Sequence, residues 1–496
     1  MDRKEWLLLS SPPLATMDRD LAAVYRHFGF DVPPQGPAAG PLAAAAAVDG
    51  GGPAGEEEKL PTVEDIDRML ERLDDDPRGV LREARAMWDA ELTEWRLRSA
   101  LQEARDALTA PRTFAVAAAA AEDHAIANLP PGFTFPGMLP PIEIIPGQSK
   151  FEPHADAAGW ALSFISSKLN RPGKPNFRNH ASFVSRFHYP LKNPTANAPV
   201  EIALFSDFGT GLYYSQYIAR QIQRKSPDLA FHLGDVYYAG QPKEFEKHFA
   251  PFVEPLLQRA PLYLLVANHE MMADGRPYID YLDDKRARFP ATQPQEGTYF
   301  RVVGSKFQVV GVDTDWNGKD RMTDDQAAWL EDVLRDGRAR GLVNILLAAN
   351  PPYEYGSKKL SKLYTKRFQP LAAAGLIDLW FWGDTHYCAL FDRGPDTPFV
   401  GSCIGHAGHP FPRQAEKRPT AAPIAFLETA ARFPSATKLR QDAGDPGFCM
   451  MTLRANGTIR LRYIDWMDNL RCVAELARPA AGQPMTITSC VKSNDP

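Results

Sequence analysis

Short apolar runs alternate with helical patterns after residue 199, and this alternation restricts the fold more than any other feature of the sequence. Three apolar runs and the two helical stretches between them follow in order: Ile202–Phe205, Tyr213–Arg224, Leu229–Leu233, Phe245–Leu257 and Leu262–Val266. Strand–helix–strand connections are right-handed in almost all proteins and place helices on the faces of a sheet. The pattern therefore predicts an α/β fold with a layered core.

Further strands are predicted downstream. Tyr299–Val303 and Phe307–Val312 have the pattern of a hairpin, and a helix is predicted near Asp324–Leu334. Two more strands are expected at Ile345–Ala348 and Leu379–Trp382. Three late strands would finish a second sheet: Cys449–Leu453, Ile459–Ile464 and Cys472–Leu476.

The first 199 residues divide into three segments by composition. Residues 1–32 form an N-terminal segment with one short helical pattern, and residues 33–59 are rich in Pro, Ala and Gly, which predicts a disordered linker. Residues 60–199 predict a helical accessory region that starts with a capping box at Thr62 and ends in an extended, proline-containing connection. No catalytic constellation is found before residue 200, so we expect the functional domain to span residues 200–496.

Charge and composition restrict the partners and the compartment. The net charge of −5 gives no basic field for sequence-independent binding to nucleic acid or to an anionic membrane. No apolar run approaches the ~20 residues of a membrane helix, and Trp6–Leu9 is shorter than the ~7–15 residues of a signal peptide core. Five cysteines without CxxC spacing fit reduced thiols. We therefore expect a cytoplasmic protein without a membrane partner.

Polar side chains directly follow four of the predicted strands. The four segments are Ser206-Asp207-Phe208-Gly209, Gly234-Asp235-Val236-Tyr237-Tyr238, Asn268-His269-Glu270 and Gly383-Asp384-Thr385-His386. Each is common alone in turns and helix caps, but the carboxyl ends of strands form the edge where α/β sheets place their sites. Carboxylates mixed with imidazole suit Fe, Mn or Zn, so the four segments together predict a metal site.

The order of these motifs resembles the calcineurin-like metallophosphoesterase superfamily, whose motifs run DxG or DxH, GD, GNH[DE], a strand-end His and GHxH. The similarity is closest to purple acid phosphatase-like bacterial metallophosphoesterases, because Gly209 completes DxG and Tyr238 completes GDxxY. HLGDVYYAG, NHEM, FWG-x-x-H and CIGHAG are further shared stretches. The resemblance covers roughly the last 300 residues. It implies a four-layer sandwich of two mixed β-sheets flanked by helices.

The resemblance implies a complete first metal site. Its ligands by motif position are Asp207, Asp235, Tyr238 and His386. A phenolate ligand such as Tyr238 favours ferric iron in that branch, so Fe or Mn is expected here. The alternative for Tyr238 is an aromatic side chain packed in the core beside Tyr237.

The second metal site is altered. Asp235, Asn268 and Asp384 are still oxygen donors, but Ala349 stands where the family has a histidine, and Asp384 replaces another. Three oxygen donors suit Mn²⁺ or Mg²⁺ better than Zn²⁺, and we keep all three ions as candidates. Asn350 is adjacent to Ala349, but strand alternation points it elsewhere.

Two histidines in the sequence GHAGHP, His406 and His409, lie in a further candidate loop. Either could replace the missing ligand of the second site, or both could be structural residues of a turn. His269 follows the ligand Asn268 and would protonate the leaving oxygen or stabilise developing charge. Glu270 would orient His269 or cap a helix.

The resemblance therefore implies a metal-dependent hydrolase of phosphoric esters, a phosphatase or phosphodiesterase with reduced activity. The alternative is a catalytically weak or inactive phosphoesterase-like protein with a binding or regulatory role. We expect a phosphate-ester substrate, and the N-terminal helices could support a homo-oligomer. One basic run could contact nucleic acid, but its spacing is typical of a solvated helix face: Lys358, Lys359, Lys362, Lys366 and Arg367.

Overall fold

The computed structural model describes residues 61–85, 92–109, 157–210, 213–409, 411, 418–429, 444–480 and 482–493. The described residues fall into two compact units, one within residues 1–170 and one within residues 171–496. The predicted N-terminal segment 1–32 and the predicted linker 33–59 lie outside the described residues.

The described part of the first unit is helical. Its helices are α1 (Val63–Asp75), α2 (Pro77–Arg85), α3 (Glu94–Thr109) and α4 (Ala157–Leu169). Helix α1 begins at the predicted capping box, in which the Thr62 hydroxyl accepts the Asp65 N–H and the Asp65 carboxylate accepts the Thr62 N–H. Its buried side chains, Ile66, Met69 and Leu73, repeat at helical spacing and form the face that packs inside this unit.

Two β-sheets build the second unit. The strands are β1 (His188–Pro190), β2 (Val200–Phe205), β3 (Leu229–His232), β4 (Leu262–Leu264), β5 (Phe300–Val303), β6 (Phe307–Val312), β7 (Val343–Ala348), β8 (Leu379–Trp382), β9 (Cys388–Phe391), β10 (Val400–Ile404), β11 (Ile424–Leu427), β12 (Gly447–Leu453), β13 (Ile459–Asp465), β14 (Leu470–Ala477) and β15 (Thr486–Lys492). One sheet has the order β1-β5-β6-β7-β8-β10-β9-β11, and the other has the order β15-β14-β13-β12-β2-β3-β4. Both sheets are mixed, because each contains parallel and antiparallel pairs.

Helices connect the strands of the second unit. They are α5 (Tyr213–Lys225), α6 (Pro242–Glu244), α7 (Ala250–Leu257), α8 (Asn268–Met272), α9 (Arg276–Arg288), α10 (Asp324–Ala339) and α11 (Gln369–Ala373), with π-helical turns at Phe245–Phe249 and Tyr364–Phe368 and a 3₁₀ turn at His180–Ser182. None of the helices in the described part of the chain is long and apolar enough to cross a membrane.

The hydrophobic core lies between the two sheets. Phe231 of β3 stacks on Phe300 of β5 in the opposite sheet at 5.7 Å between ring centroids, and Tyr263 of β4 lies 4.9 Å from the same ring. At the other end of the core, the hydroxyls of Ser402 and Tyr463 are 2.8 Å apart. Apolar residues on both inner faces bury this surface, and its removal from water is the main stabilising contribution to a fold of this kind.

The predicted four-layer α/β sandwich is therefore confirmed. The three predicted late strands join the sheet of β2, since β12 pairs antiparallel with that strand. Five strands were not predicted, namely β1, β9, β10, β11 and β15. The sheet order brings the carboxyl ends of β2 and β3 in one sheet, and of β7 and β8 in the other, to the edge where the polar strand-end residues lie.

Candidate metal centre

Three aspartates leave their strands in the same backbone conformation. Asp207 follows β2, Asp235 follows β3 and Asp384 follows β8, with φ values of 59°, 69° and 59°. Left-handed backbone is uncommon outside glycine, although aspartate tolerates it better than most residues. Strained positions of this kind cluster at functional sites, so the shared conformation marks this sheet edge as the candidate site.

Asp207 is fully buried, and one of its oxygens is engaged. Its Oδ1 accepts a hydrogen bond from the Tyr237 hydroxyl at 2.9 Å and lies 3.3 Å from Nε2 of His386. The Tyr237 hydroxyl is also 2.8 Å from that Nε2 atom. Burial would raise the pKa of Asp207, but the hydrogen bond and charge of His386 outweigh it and lower the pKa.

The other oxygen of Asp207, Oδ2, is buried without a hydrogen-bond partner. Two glycines keep space beside it, because a Cβ atom would approach this oxygen to 2.9 Å at Gly383 and to 3.0 Å at Gly405. A buried carboxylate oxygen without a partner is costly, and a cation would relieve that cost.

The backbone of Asp235 is held by the Glu270 carboxylate, and the Asp235 carboxylate lies among like charges. Glu270 accepts the N–H groups of Asp235 at 3.2 Å, of Val236 at 2.6 Å and of Ala267 at 2.8 Å. Burial, followed by the negative charges of Asp207, Glu270 and Asp384, raises the pKa of Asp235 well above its ordinary value. Glu270 therefore secures the strand-end loop and caps α8. The excess negative charge around Asp235 favours a bound cation.

The phenol that contacts Asp207 and His386 belongs to Tyr237, whereas the motif spacing predicted Tyr238. The Tyr238 N–H donates to Glu244, its carbonyl oxygen lies 2.6 Å from Nδ1 of His269, and its ring meets the His269 ring edge-on. Neighbouring side chains of a turn need not alternate as they do in a strand, so motif spacing alone does not decide which tyrosine points inward. Metal ligation by Tyr238 stays a prediction, and Tyr237 is the better placed donor.

Asn268 and His269 begin helix α8 beside Asp235. The amide oxygen of Asn268 is buried and has no hydrogen-bond partner, and the His269 N–H donates to Asp235 Oδ1 at 3.2 Å. Since a carbonyl oxygen only accepts, Nδ1 of His269 carries the proton of its bond to Tyr238. This leaves Nε2 as the nitrogen for proton transfer, while burial lowers the pKa of His269 to about 4.

The residues predicted for the second metal are arranged differently. Asp384 forms an ion pair with Lys319, whose Nζ atom is 3.2 Å from each carboxylate oxygen. Ala349 is fully buried and has no donor atom. The amide nitrogen of Asn350 donates to Thr314 at 3.0 Å and to Asp315 at 2.8 Å, as expected for a side chain directed away from the position next to it.

Of the two histidines in the GHAGHP loop, His409 reaches the site. Its ring stacks on His386 with 3.8 Å between centroids and lies 4.9 Å from the ring of Tyr237. His406 is buried and packs near Phe411, and burial lowers its pKa to about 4. His409 is therefore a candidate to support His386, whereas His406 packs within the turn, and a ligand role for either histidine stays a prediction.

These donors fit one metal ion. In the part of the chain that the structure describes, no three His, Cys, Asp or Glu side chains already stand in the arrangement of a metal site. The phenol of Tyr237 instead lies against Asp207 and His386, so an ion could be held by both aspartates, the imidazole and this phenol. The second position does not fit a further divalent ion, because Ala349 contributes nothing and Asp384 already pairs with an ammonium group.

Residues 200–388 match the family model of calcineurin-like phosphoesterases. The chain carries a calcineurin-like phosphoesterase domain. The matched range includes every residue predicted as a metal ligand, from Asp207 to His386. No curated protein matches the sequence.

Several solved structures resemble this phosphoesterase domain distantly. The Plasmodium protein described as GAP50, the anchor in the inner membrane complex, has 13% identity and a TM-score of 0.41, covering 60% of this chain and 89% of its own. Purple acid phosphatase PPD1 of yellow lupin has 17% identity and a TM-score of 0.36, covering 56% and 53%. A dimetal phosphatase of Danio rerio has 10% identity and a TM-score of 0.38, covering 54% and 96%. The family assignment therefore rests on the sequence match.

Sequence motifs missed two residues that the structure brings to the phosphoesterase site, Tyr237 and Lys319. Tyr237 lies next to a recognised motif position and His409 lies in a predicted candidate loop, but the contacts of both depend on side-chain direction. Lys319 lies 65 residues before Asp384 in a loop without a recognisable motif. The sequence signal for this contact is Asp384 itself, a carboxylate at a position where the family has a histidine, because a carboxylate can pair with an ammonium group.

Proposed function

We propose that the phosphoesterase domain is a metal-dependent hydrolase of phosphoric esters that holds a metal ion at Asp207. The family match supports phosphoric ester hydrolysis in general. The observation that carries the proposal is the buried oxygen of Asp207, which has no partner and lies in space kept by two glycines. Asp235, Tyr237 and His386 complete a donor set of oxygens and one imidazole, for which Fe or Mn is the best match.

The chain's own residues would position the ester and transfer a proton. When bound, the ion would polarise a phosphoryl oxygen and make water acidic enough to supply hydroxide at neutral pH. The Tyr238 carbonyl fixes the tautomer of His269, so Nε2 carries a lone pair and would take a proton from the attacking water before passing it to the leaving oxygen. Glu270 accepts N–H groups from both the loop of Asp235 and the start of α8. It therefore keeps the positions of Asp235 and His269 fixed relative to each other.

Hydrolysis of chromogenic phosphate monoesters and diesters, with Mn²⁺ or iron added, tests the proposal. Wild type should show metal-dependent turnover, and the ratio of the two rates assigns the ester class. Asp207→Asn should lose more than the ~10–100-fold that removal of an outer-shell partner costs, because it removes a direct ligand. Asp324→Asn is the matched control, since the Asp324 side chain is 87% exposed and pairs with Arg367 on the surface. Absence of both bound metal and metal-dependent turnover would overturn the proposal.

The ion pair of Asp384 with Lys319 favours one second candidate, a binding or regulatory protein on a phosphoesterase fold. In this case the altered second position would have removed catalysis and left phosphoester binding. The double variant Ala349→His with Asp384→His restores both missing imidazoles and frees Lys319 from its carboxylate. Turnover by the double variant, with none by wild type, would support this candidate. Turnover by wild type would exclude it.

A further inference from the structure

Lys319 lies beside the candidate metal centre, in a loop between β6 and α10 that several hydrogen bonds hold in place. At the start of the loop, Asp313 exchanges two backbone hydrogen bonds with the Gln326 side chain, each 2.8 Å long. The Asp313 carboxylate then accepts the N–H groups of Asp315 and Trp316, both at 2.9 Å. Two backbone bonds of 2.8 Å, Gly318 N–H to the Asp315 carbonyl and Arg321 N–H to the Thr314 carbonyl, close the turn around Lys319. The position of the lysine is therefore set by the loop.

The ammonium group of Lys319 meets Asp384 symmetrically. Its Nζ atom lies 3.2 Å from both carboxylate oxygens, and the Asp384 side chain is 13% exposed. An ammonium group has three N–H donors, and the two oxygens take up at most two of them. The Lys319 side chain is 53% exposed, so an anion that enters from solvent can reach the third donor.

Further carboxylates lie near the ammonium group. The negative charges of Asp384, Asp315 and Asp235 all act on the Lys319 ammonium group. Asp315 is itself buried and is held by the Asn350 amide at 2.8 Å. The lysine therefore supplies a fixed positive charge at the position where this chain lacks two of the family's imidazole ligands.

A divalent ion at the same position would be repelled by the ammonium group and would find few donors. Asp235 and Asn268 each offer an oxygen, but Asp384 is already paired and Ala349 offers no donor atom. Three protein ligands and an open position are the usual minimum of a catalytic metal site, and that number is not reached here without displacing Lys319.

We propose that the Lys319 ammonium replaces the second metal ion and binds a phosphoryl oxygen of the substrate across from a single metal ion at Asp207. Lysine binds phosphate as a compact point charge, which is the role that the second ion would have in a two-metal clamp. The inference rests on the proposed function for the metal at Asp207. It adds that the centre is built for one metal and one ammonium group.

Two measurements on the full chain test this inference. After saturation with Mn²⁺ and removal of free ion, elemental analysis should give one metal per chain in wild type. Calorimetric titration of this loaded protein with inorganic phosphate should show binding that Lys319→Met weakens about 10–100-fold, the range for loss of a charge-assisted hydrogen bond. Lys319→Arg should recover part of the affinity. Lys359→Met, a change of an exposed lysine outside the centre, should leave it unchanged.

The outcomes separate this inference from the proposed function. Two metals per wild-type chain, or unchanged phosphate affinity in a folded Lys319→Met variant that still holds one metal, would overturn the role of Lys319 and leave hydrolysis by the domain intact. No bound metal and no turnover in wild type would overturn the proposed function itself. A second Mn²⁺ that binds only in Lys319→Met, where Asp384 is released, would support the replacement directly.

Discussion

At the scale of single residues, two adjacent tyrosines have different surroundings. The Tyr237 hydroxyl lies 2.9 Å from Asp207 Oδ1 and 2.8 Å from Nε2 of His386. Tyr238 is held through its backbone, by Glu244 on one side and by His269 on the other. The two positions therefore form a matched pair, because both are buried phenols and the Tyr237 hydroxyl lies against two candidate ligands.

Tyr237→Phe should lower metal affinity by about 10–100-fold or more, whereas Tyr238→Phe should change it little. The reason is that Tyr237→Phe removes a hydroxyl next to two ligands. Tyr238→Phe keeps the backbone contacts of Tyr238 with Glu244 and His269. Titration with Mn²⁺ measures the affinity. If iron is bound through a phenolate, the tyrosinate-to-iron absorption band should also disappear in Tyr237→Phe only. The opposite pattern would show that Tyr238 is the ligand, as the motif spacing predicted.

Lys285 is a buried residue whose protonation should make the stability of the fold depend on pH. Its side chain is fully buried, its ammonium group donates to the Leu262 carbonyl, and burial lowers its pKa to about 7. The unfolded chain has a lysine pKa of about 10.4. Between these values the unfolded state binds the proton that the folded state releases, so stability rises with pH in this window.

The free energy of unfolding should therefore rise by about 2 kcal/mol from pH 7 to pH 9 through Lys285 alone. Lys285→Met has no proton to release and should lack this part of the rise. Urea denaturation of both proteins at the two pH values measures the difference. Parallel pH profiles would show that Lys285 stays charged in the folded state.

At the scale of elements, Asp378 joins parts of both sheets. It lies directly before β8, is fully buried, and accepts from Arg338 of α10 at 3.1 Å and from the backbone of Asn344 in β7 at 2.9 Å. Arg478, directly after β14, donates to it at 2.6 Å, and the Met485 N–H before β15 donates at 3.3 Å. One carboxylate thus links a helix and two strands on one side of the core to the last hairpin on the other.

Asp378→Ala should lower the free energy of unfolding by about 3 kcal/mol, because it leaves two arginines and two backbone N–H groups without their common acceptor. Asp324→Ala, which breaks the exposed pair with Arg367, should cost less than about 1 kcal/mol. Chemical denaturation measures both. Equal losses in the two variants would contradict the role given to Asp378.

Four of the strands that lead into the site are among those that sequence reasoning predicted best. Each of these strands is a short, continuous apolar run followed by a polar motif: β2, β3, β7 and β8. The apolar run indicates the strand, and the polar motif indicates where the strand ends. β1 and β11 lie at the edge of their sheet, and edge strands have weaker patterns because one side pairs with nothing. Lys319 and Asp378 were not predicted as partners of distant residues, because their contacts depend on tertiary packing that no local pattern records.

At the scale of the whole molecule, the packing of two sheets places the site. Asp207 and Asp235 come from one sheet, and Asp384 and His386 follow β8 of the other. The aromatic contacts of the core, such as Phe231 on Phe300, fix the distance between the sheets. Sequence motifs identified the strand ends of both sheets. The sequence motifs did not predict that Lys319 pairs with Asp384, because this contact depends on the position of the loop that carries the lysine.

The most direct test of a one-metal, one-ammonium centre is a crystal structure with Mn²⁺ and phosphate, with anomalous scattering recorded at the metal edge. One anomalous peak is expected among Asp207, Asp235 and His386, with Nζ of Lys319 within the ~2.7–3.2 Å of a hydrogen bond to a phosphate oxygen. A second peak beside Asp384, with Lys319 displaced, would contradict a one-metal, one-ammonium centre.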